Sequence, residues 1–195
     1  MTNPTHLNLV QQYAAGARGY RLEHLDLRGA DLRGLDLADA WLRDTDLSGA
    51  DMRGCRLVGA SAPGTNFSGA NLTGADLHGL IGAGTCFDKA ILIEASLRAA
   101  DLYGASLIEA DLTQADLTQA DLSLVQAKQA IFNGARLARV ILFKADLTGA
   151  DLRNTDLLAA QNVAGANFAE ALLPDGYQPV NNPKKARVGR GFWGG

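Results

Sequence analysis

Several things are scarce in this chain of 195 residues, which holds two cysteines, three histidines, five prolines and 6% aromatic residues. Two cysteines cannot build a disulfide framework, and unpaired thiols fit a reducing compartment. Asp, Arg or Gly interrupts the apolar residues every few positions, so no run approaches the roughly 18 residues that a membrane helix needs. No basic-then-apolar segment opens the sequence, and residence in the cytoplasm, away from any membrane, is the expectation. Formal charge is −3, but residues 177–195 hold Lys184, Lys185, Arg187 and Arg190 and no acid, leaving 14 bases against 21 acids elsewhere, or −7. Direct nucleic-acid binding is not expected of such a body. Apolar residues make up 47% of the chain, too many for a disordered one and enough for the core of one domain.

The dominant signal is a period of five. Stepping by five from Leu22 to Leu157 visits 28 positions, of which 21 are Leu, three Phe (Phe67, Phe87, Phe132) and one Met52. Two residues before most of them stands a small residue, Ala in 17 cases, with Thr45, Thr65, Thr85 and Thr155 next. Between them lies a polar residue, most often Asp, so the consensus reads Ala-Asp-Leu-x-Gly, as in Ala50-Asp51-Met52-Arg53-Gly54.

No straight element satisfies this pattern. On an α-helix a step of five turns about 500°, so successive leucines circle the axis instead of forming a stripe. On one long strand an odd period sends alternate leucines to opposite faces. What fits is a short extended piece with Ala and Leu pointing inward and Asp outward, followed by a bend at x-Gly. Gly fills the second bend position in 13 of the 28 repeats, where a corner needs backbone freedom. The chain is therefore expected to wind as a solenoid around a dry Leu/Ala interior.

On these residues the chain resembles the pentapeptide-repeat family, cyanobacterial type, whose members repeat Ala-(Asp/Asn)-Leu-x-x; the match runs from 22 to 157 without a register break. The resemblance implies an all-β fold, a right-handed quadrilateral parallel β-helix with four pentapeptides per coil. Residues twenty apart then stack, so Leu32, Leu72, Leu112 and Leu152 fall in one core column. The 28 repeats make about seven coils, a rod about 34 Å long at the ~4.8 Å inter-strand spacing. Two places break the interior rule: Gly82 follows Leu80, and Ala127 follows Val125, as if large and small residues were exchanged. Ala62, with only Ala60 beside it, stacks against Gly82, which leaves that wall thin unless Leu80 leans across, and a bulge or small void is expected there.

Three segments follow from this reading. Residues 1–19 hold a short capping helix, N-capped by Thr5 and running to about Ala15, with Leu7, Val10 and Ala14 on one face and Gly16 as its stop. It plugs the first coil, whose open edge would otherwise pair with other chains. Its Tyr13-Ala14-Ala15-Gly16 ending is similar to segments preceding the repeats in cyanobacterial members of the family. Residues 20–176 are the β-helix. The step from Leu157 to Val163 is six instead of five before Phe168 and Leu173 resume the beat, which predicts a bulge before a last partial coil. Leu173-Pro174-Asp175-Gly176 resembles the family's repeat-ending turn. Residues 177–195 form a basic tail whose Phe192 and Trp193 suit a clasp on the acidic body, a docking peptide or an unattached end.

Chemistry finds little to use. Catalysis needs convergent groups in a cleft, which a filled solenoid does not offer, so no enzyme activity, cofactor or metal is expected. His6, His24 and His78 fall on the helix, a corner and a wall; Cys55 points inward and Cys86 outward, so they cannot pair. The outward column Asp36, Arg56, Asp76, Ser96, Asp116, Arg136, Asp156 nearly alternates in sign, which suits register control and solubility.

Outward apolar residues are more informative, because a water-soluble β-helix does not require them. On the wall of Leu22, Leu42 and Leu102 they are Trp41, Ile81, Tyr103, Ile141 and Phe143, either lateral packing on a sheet surface or an interaction face for an unidentified protein partner or a second copy. Ile91, Ile93 and Ile131 make a smaller second patch. The expected function is a non-enzymatic interaction module, a rigid rod with a regulatory role. The competing expectation, from the family's antibiotic-resistance members, is a DNA mimic that occupies the groove of a topoisomerase such as gyrase. Its dense negative charge is confined here to a belt of Asp101, Glu109, Asp111, Asp116 and Asp121, spread round the circumference, while Arg28, Arg33, Arg43 and Arg53 interrupt the N-terminal half.

Overall fold

The computed structural model describes residues 3–16 and 21–179. The fivefold pattern becomes backbone in the expected way. In most repeats the carbonyl at the central core position accepts the N–H of the residue three later, as Leu27 does from Ala30 at 3.0 Å, closing a β-turn at the x-Gly pair. Its third residue is left-handed, with φ 63° at Gly29. Glycine is favoured there, but Asp44, Lys144 and Leu124 take the same conformation, so coil stacking overrides the local preference.

The extended residue between corners pairs with its counterpart twenty residues on, always in parallel, giving four ladders that begin Asp26↔Asp46, Asp31↔Asp51, Asp36↔Arg56 and Trp41↔Ser61. The molecule is thus a four-faced parallel β-helix, and the faces are named here by their first paired residues. Both backbone groups of each rung are used: Leu27 N–H donates to the Asp46 carbonyl at 2.8 Å, and Asp46 N–H donates to the Leu25 carbonyl at 2.9 Å. Leu32, Leu72, Leu112 and Leu152 are buried in one column. The exchanged pairs are buried too, Leu80 with Val125 and Ala127. No void lies beside Gly82, contrary to expectation. A Cβ there would meet Leu102 Cδ2 at 3.0 Å and Leu80 Cδ2 at 3.2 Å, because Leu80 leans across the gap.

Helix α1 (Pro4–Ala14) precedes the coils. Its N-cap is Asn3, whose side chain accepts the N–H groups of Thr5 and His6, not Thr5 as the sequence suggested; Pro4 fits the first turn because it has no N–H to satisfy. Val10 and Tyr13 are buried, and the Tyr13 hydroxyl donates to the Ala38 carbonyl at 2.8 Å. His6 Nδ1 accepts the Asp26 N–H at 2.8 Å, the position a carbonyl of a preceding coil would take, so α1 closes the first edge.

The inserted residue near the other end appears as a 3-10 turn, Leu157–Ala159. Beyond it the rungs are spaced by twenty-one, as in Ile141↔Asn162 and Asp151↔Leu172, and the Asp36 face ends at Arg136. Among the described residues Asp156 pairs with no rung; its exposed side chain instead accepts the Leu137 N–H. A turn closes from Pro174 to Tyr177, whose ring lies 5.6 Å from that of Phe168. Lys184, Lys185, Arg187, Arg190, Phe192 and Trp193 lie outside the described residues.

Candidate functional site

The outward Asp of the repeat has a local task that its column position does not reveal. Its Oδ1 accepts the backbone N–H of the residue two later, the first of the turn: Asp46 from Ser48 at 3.0 Å, Asp76 from His78 at 3.1 Å, Asp121 from Ser123 at 2.8 Å. Asn does the same, as Asn66 does for Ser68 at 3.0 Å. Each side chain caps its own corner. The clue was in the sequence, since this position from 21 to 156 carries Asp or Asn repeatedly and Glu never; one more methylene would overshoot the N–H.

Where Arg stands at the first turn position two residues after such an Asp, it closes a fork on the same carboxylate. Arg28 on Asp26, Arg33 on Asp31, Arg53 on Asp51 and Arg153 on Asp151 each place a guanidinium nitrogen within 2.6–2.7 Å of an Asp oxygen. These hydrogen bonds hold the Asp26 and Asp31 carboxyls at about 2. Arg28 also lies 3.8 Å from Asp46 and Arg33 3.7 Å from Asp51, so the arginines relieve repulsion between stacked aspartates. On the Asp36 face the expected ion pairs include Arg56–Asp36 at 3.1 Å and Arg136–Asp116 at 3.8 Å, joined by Arg98–Asp116 at 3.2 Å.

The Trp41 face differs. From Arg21, which lies below Trp41, it runs Trp41, Ser61, Ile81, Asp101, Asp121, Ile141, Asn162. Trp41 is 48% and Ile81 51% exposed, while Ile141 is half-buried. Tyr103, 49% exposed, and Phe143, 37%, occupy the first turn position at the adjoining corner and not the wall itself. The five expected contact residues therefore form two groups, Trp41, Ile81 and Tyr103 below and Ile141 with Phe143 above, parted by Asp101, Asp121 and Ser123. The Arg21 guanidinium lies 4.2 Å over the Trp41 ring and 3.4 Å from Glu23, with Arg43 reaching the same carboxylate at 3.9 Å. Glu23, Arg43, Ser61 and Ile81 help to line an open depression around Trp41. Corner residues Tyr103 and Ser123 have no fork to offer, so Asp101 and Asp121 stack without an ion pair among the described residues.

The second patch lies on the Asp31 face, where Ile91 and Ile131 alternate with Asp111 and Asp151, and Ile93 sits at its corner. His78 is a turn residue, not a wall residue as expected. Cys55 is buried, its Sγ donating to the Leu32 carbonyl at 2.7 Å and its thiol pushed up to about 11 by burial. Cys86 is half-buried and also free. Among the described residues no group of three His, Cys, Asp or Glu is placed to hold a metal ion, and no helix is long and apolar enough to cross a membrane.

The family model for pentapeptide repeats matches residues 18–49, 50–80, 84–119 and 120–157. The chain belongs to the pentapeptide-repeat family. The break at 81–83 falls on Gly82, where the core pair is exchanged. No curated protein matches the sequence. Among solved structures the chain is similar to HetL, a pentapeptide repeat protein involved in heterocyst differentiation regulation from the cyanobacterium Nostoc sp. strain PCC 7120, at 24% identity, 91% of this chain, 99% of that one and a TM-score of 0.36. A pentapeptide repeat protein from the Arabidopsis thaliana thylakoid lumen matches at 28% identity over 67% of this chain and 70% of its own, with a TM-score of 0.34. QnrB1, a plasmid-mediated fluoroquinolone resistance protein, matches at 17% identity over 85% and 96%, with a TM-score of 0.43.

Proposed function

We propose that this pentapeptide-repeat protein is a non-enzymatic interaction module: a rigid right-handed quadrilateral rod of about seven coils that presents the Trp41 face and its Tyr103–Phe143 corner to a protein partner, in a regulatory role. The observation that carries this reading is the exposure of Trp41, Ile81 and Tyr103, each about half, within four rungs of one face. Large apolar side chains held on hydrogen-bonded backbone lose little freedom on binding, which is what an interface centre rewards. Cytoplasmic residence belongs to the same reading and is supported by the free thiols of Cys55 and Cys86. Replacing Tyr103 and Phe143 by Ser is expected to abolish a complex seen by pull-down or scattering while the thermal melt stays in place; association that survives removes the proposal.

The DNA-mimic reading needs acids that face a partner unpaired. Within the belt, Asp116 has Arg98 and Arg136, and Glu109 lies 3.7 Å from Lys89, leaving among the described residues only the Asp101–Asp121 stack on the Trp41 face and Asp111 on the Asp31 face. A gyrase supercoiling assay separates the readings: inhibition or drug protection at micromolar protein favours mimicry, and unchanged supercoiling favours the interaction module.

A further inference from the structure

The charges of the Trp41 face are arranged as two complementary halves. Its lowest rungs carry two cations, Arg21 on the wall and Arg43 at one corner, which share the carboxylate of Glu23, while Asp39 stands at the opposite corner. Its middle rungs carry Asp101 and Asp121, stacked and without an ion pair among the described residues. Ser61 and Ile81 lie between the two halves.

Two copies of such a face can meet about a two-fold axis in two ways. With the rods parallel, each rung meets itself, so Asp101 faces Asp101 and Arg21 faces Arg21, which like charges forbid. With the rods antiparallel and the axis between the Ser61 and Ile81 rungs, Arg21 faces Asp121, Trp41 faces Asp101, and Ser61 faces Ile81. At the corner, Arg43 then faces Tyr103, within reach of Asp101, and Glu23 faces Ser123. At the opposite corner Asp39 faces Ala99 and Gly59 faces Gly79, small residues that let the two backbones approach. No like charges face each other directly in this register, and Asp39, at the corner away from Arg43, faces the uncharged Ala99. Moving the axis by half a rung onto Ile81 puts Trp41 against Asp121 and Arg21 against Ile141, and moving it onto Ser61 puts Arg21 against Asp101 but Asp121 beyond the last facing rung, so either shift keeps at most one of the two charge contacts.

We propose that the occupant of this face is a second copy of the chain, docked antiparallel about a two-fold axis between the Ser61 and Ile81 rungs. This rests on the reading of the Trp41 face as an interaction surface and names its partner. Six rungs at about 4.8 Å span about 24 Å, and three outward residues per rung give about eighteen on each side, just under the 20–30 of a standard interface. The dimer is accordingly modest in affinity and sensitive to salt.

Sedimentation equilibrium of the full chain from 10 to 200 µM tests it. The expected result is a rise from 20.5 kDa toward twice that mass, with dissociation promoted at least tenfold by 0.5 M salt. The double variants Arg21→Glu/Arg43→Glu and Asp101→Lys/Asp121→Lys are each expected to stay monomeric, and the chain carrying all four changes to dimerise again. A wild-type chain that remains at 20.5 kDa, or a dimer that survives either charge reversal, overturns the proposal. Melting curves show that each variant is folded. A monomeric chain whose protein complex still depends on Tyr103 and Phe143 would overturn the self-pairing alone and leave the interaction module standing.

Discussion

Phe67 and Phe87, twenty residues apart in sequence, lie with ring centroids 4.7 Å apart and planes 3° from parallel. That separation matches the spacing of paired strands, so the two rings act as a ruler for the coil: each turn of backbone carries the column up by one inter-strand step. Both rings are fully buried. Cutting Phe87 to Ala removes a large side chain from a column that cannot collapse, because hydrogen bonds fix the coils above and below. The expected cost is about 3–5 kcal/mol, read from the midpoint of a urea titration. Phe87→Leu, which restores the commonest residue of the column, is expected to cost less than half as much.

Leu80 and Gly82 make a second, coupled test. Leu80 Cδ2 already fills the space of the absent Gly82 side chain, and Leu102 Cδ2 and Thr85 Cγ2 close it at 3.0 and 3.3 Å. Gly82→Leu is therefore expected to destabilise by at least the 1–3 kcal/mol typical of overpacking, at about the scale of an inserted core side chain. Leu80→Ala leaves a cavity and is expected to cost about 2–5 kcal/mol. The double change Leu80→Ala/Gly82→Leu restores the ordinary order of small and large, and its cost should fall well below the sum of the two. Additive costs from thermal or urea melts would show that the two side chains do not share one space.

That the chain winds was legible because a period of five excludes helix and flat strand, the four repeats per coil followed only from the family resemblance, and the single step of six before Val163 marked the 3-10 turn at Leu157–Ala159. Side-chain direction within a repeat was less legible. Inward or outward is fixed by the pattern, but whether an outward Asp turns to its stacked neighbour or to its own corner depends on reach, and Asp has the right length for the corner. Likewise the pattern placed Tyr103 and Phe143 near the correct face without separating wall from corner, one residue beyond the core Leu. Leu80 crossing the Gly82 gap is a rotamer choice, which no spacing rule encodes. At the N-terminus Thr5 and Asn3 are both good caps; Pro4 decides for Asn3, since proline fits the first helical position.

The corner cap can be isolated at Asn71, which is uncharged. Its Oδ1 accepts the Thr73 N–H at 3.1 Å and the Thr73 hydroxyl at 2.7 Å. Asn71→Ala removes the one oxygen that accepts both hydrogen bonds and is expected to lower stability by about 1 kcal/mol. Asn71→Asp keeps an acceptor of the same length and should sit close to wild type. Asn71→Glu, with one methylene too many, should behave like Ala in the same melt.

Acid should loosen the N-terminal coils before the rest. The Arg28 guanidinium, hydrogen-bonded to Asp26, holds that carboxyl at about 2, and Arg33 does the same for Asp31, against 3.8 for a free side chain. A carboxyl lowered in the folded state contributes stability that is fully present above its unfolded value and is lost as the pH falls through its folded value. The window for this loss therefore runs from about pH 4 down to about pH 2. Both groups are at the surface, so the effect is small and weakens with salt. Amide exchange measured at pH 5, 3 and 2 in low salt should show the N–H groups of the Asp26 and Asp31 corners losing protection across that interval. With Arg28→Gln and Arg33→Gln together the carboxyls return toward 3.8, so protection should already be lower at pH 5 and change less between pH 4 and 2. A wild-type chain whose first corners keep full protection at pH 2 would separate these forks from the stability of the coil.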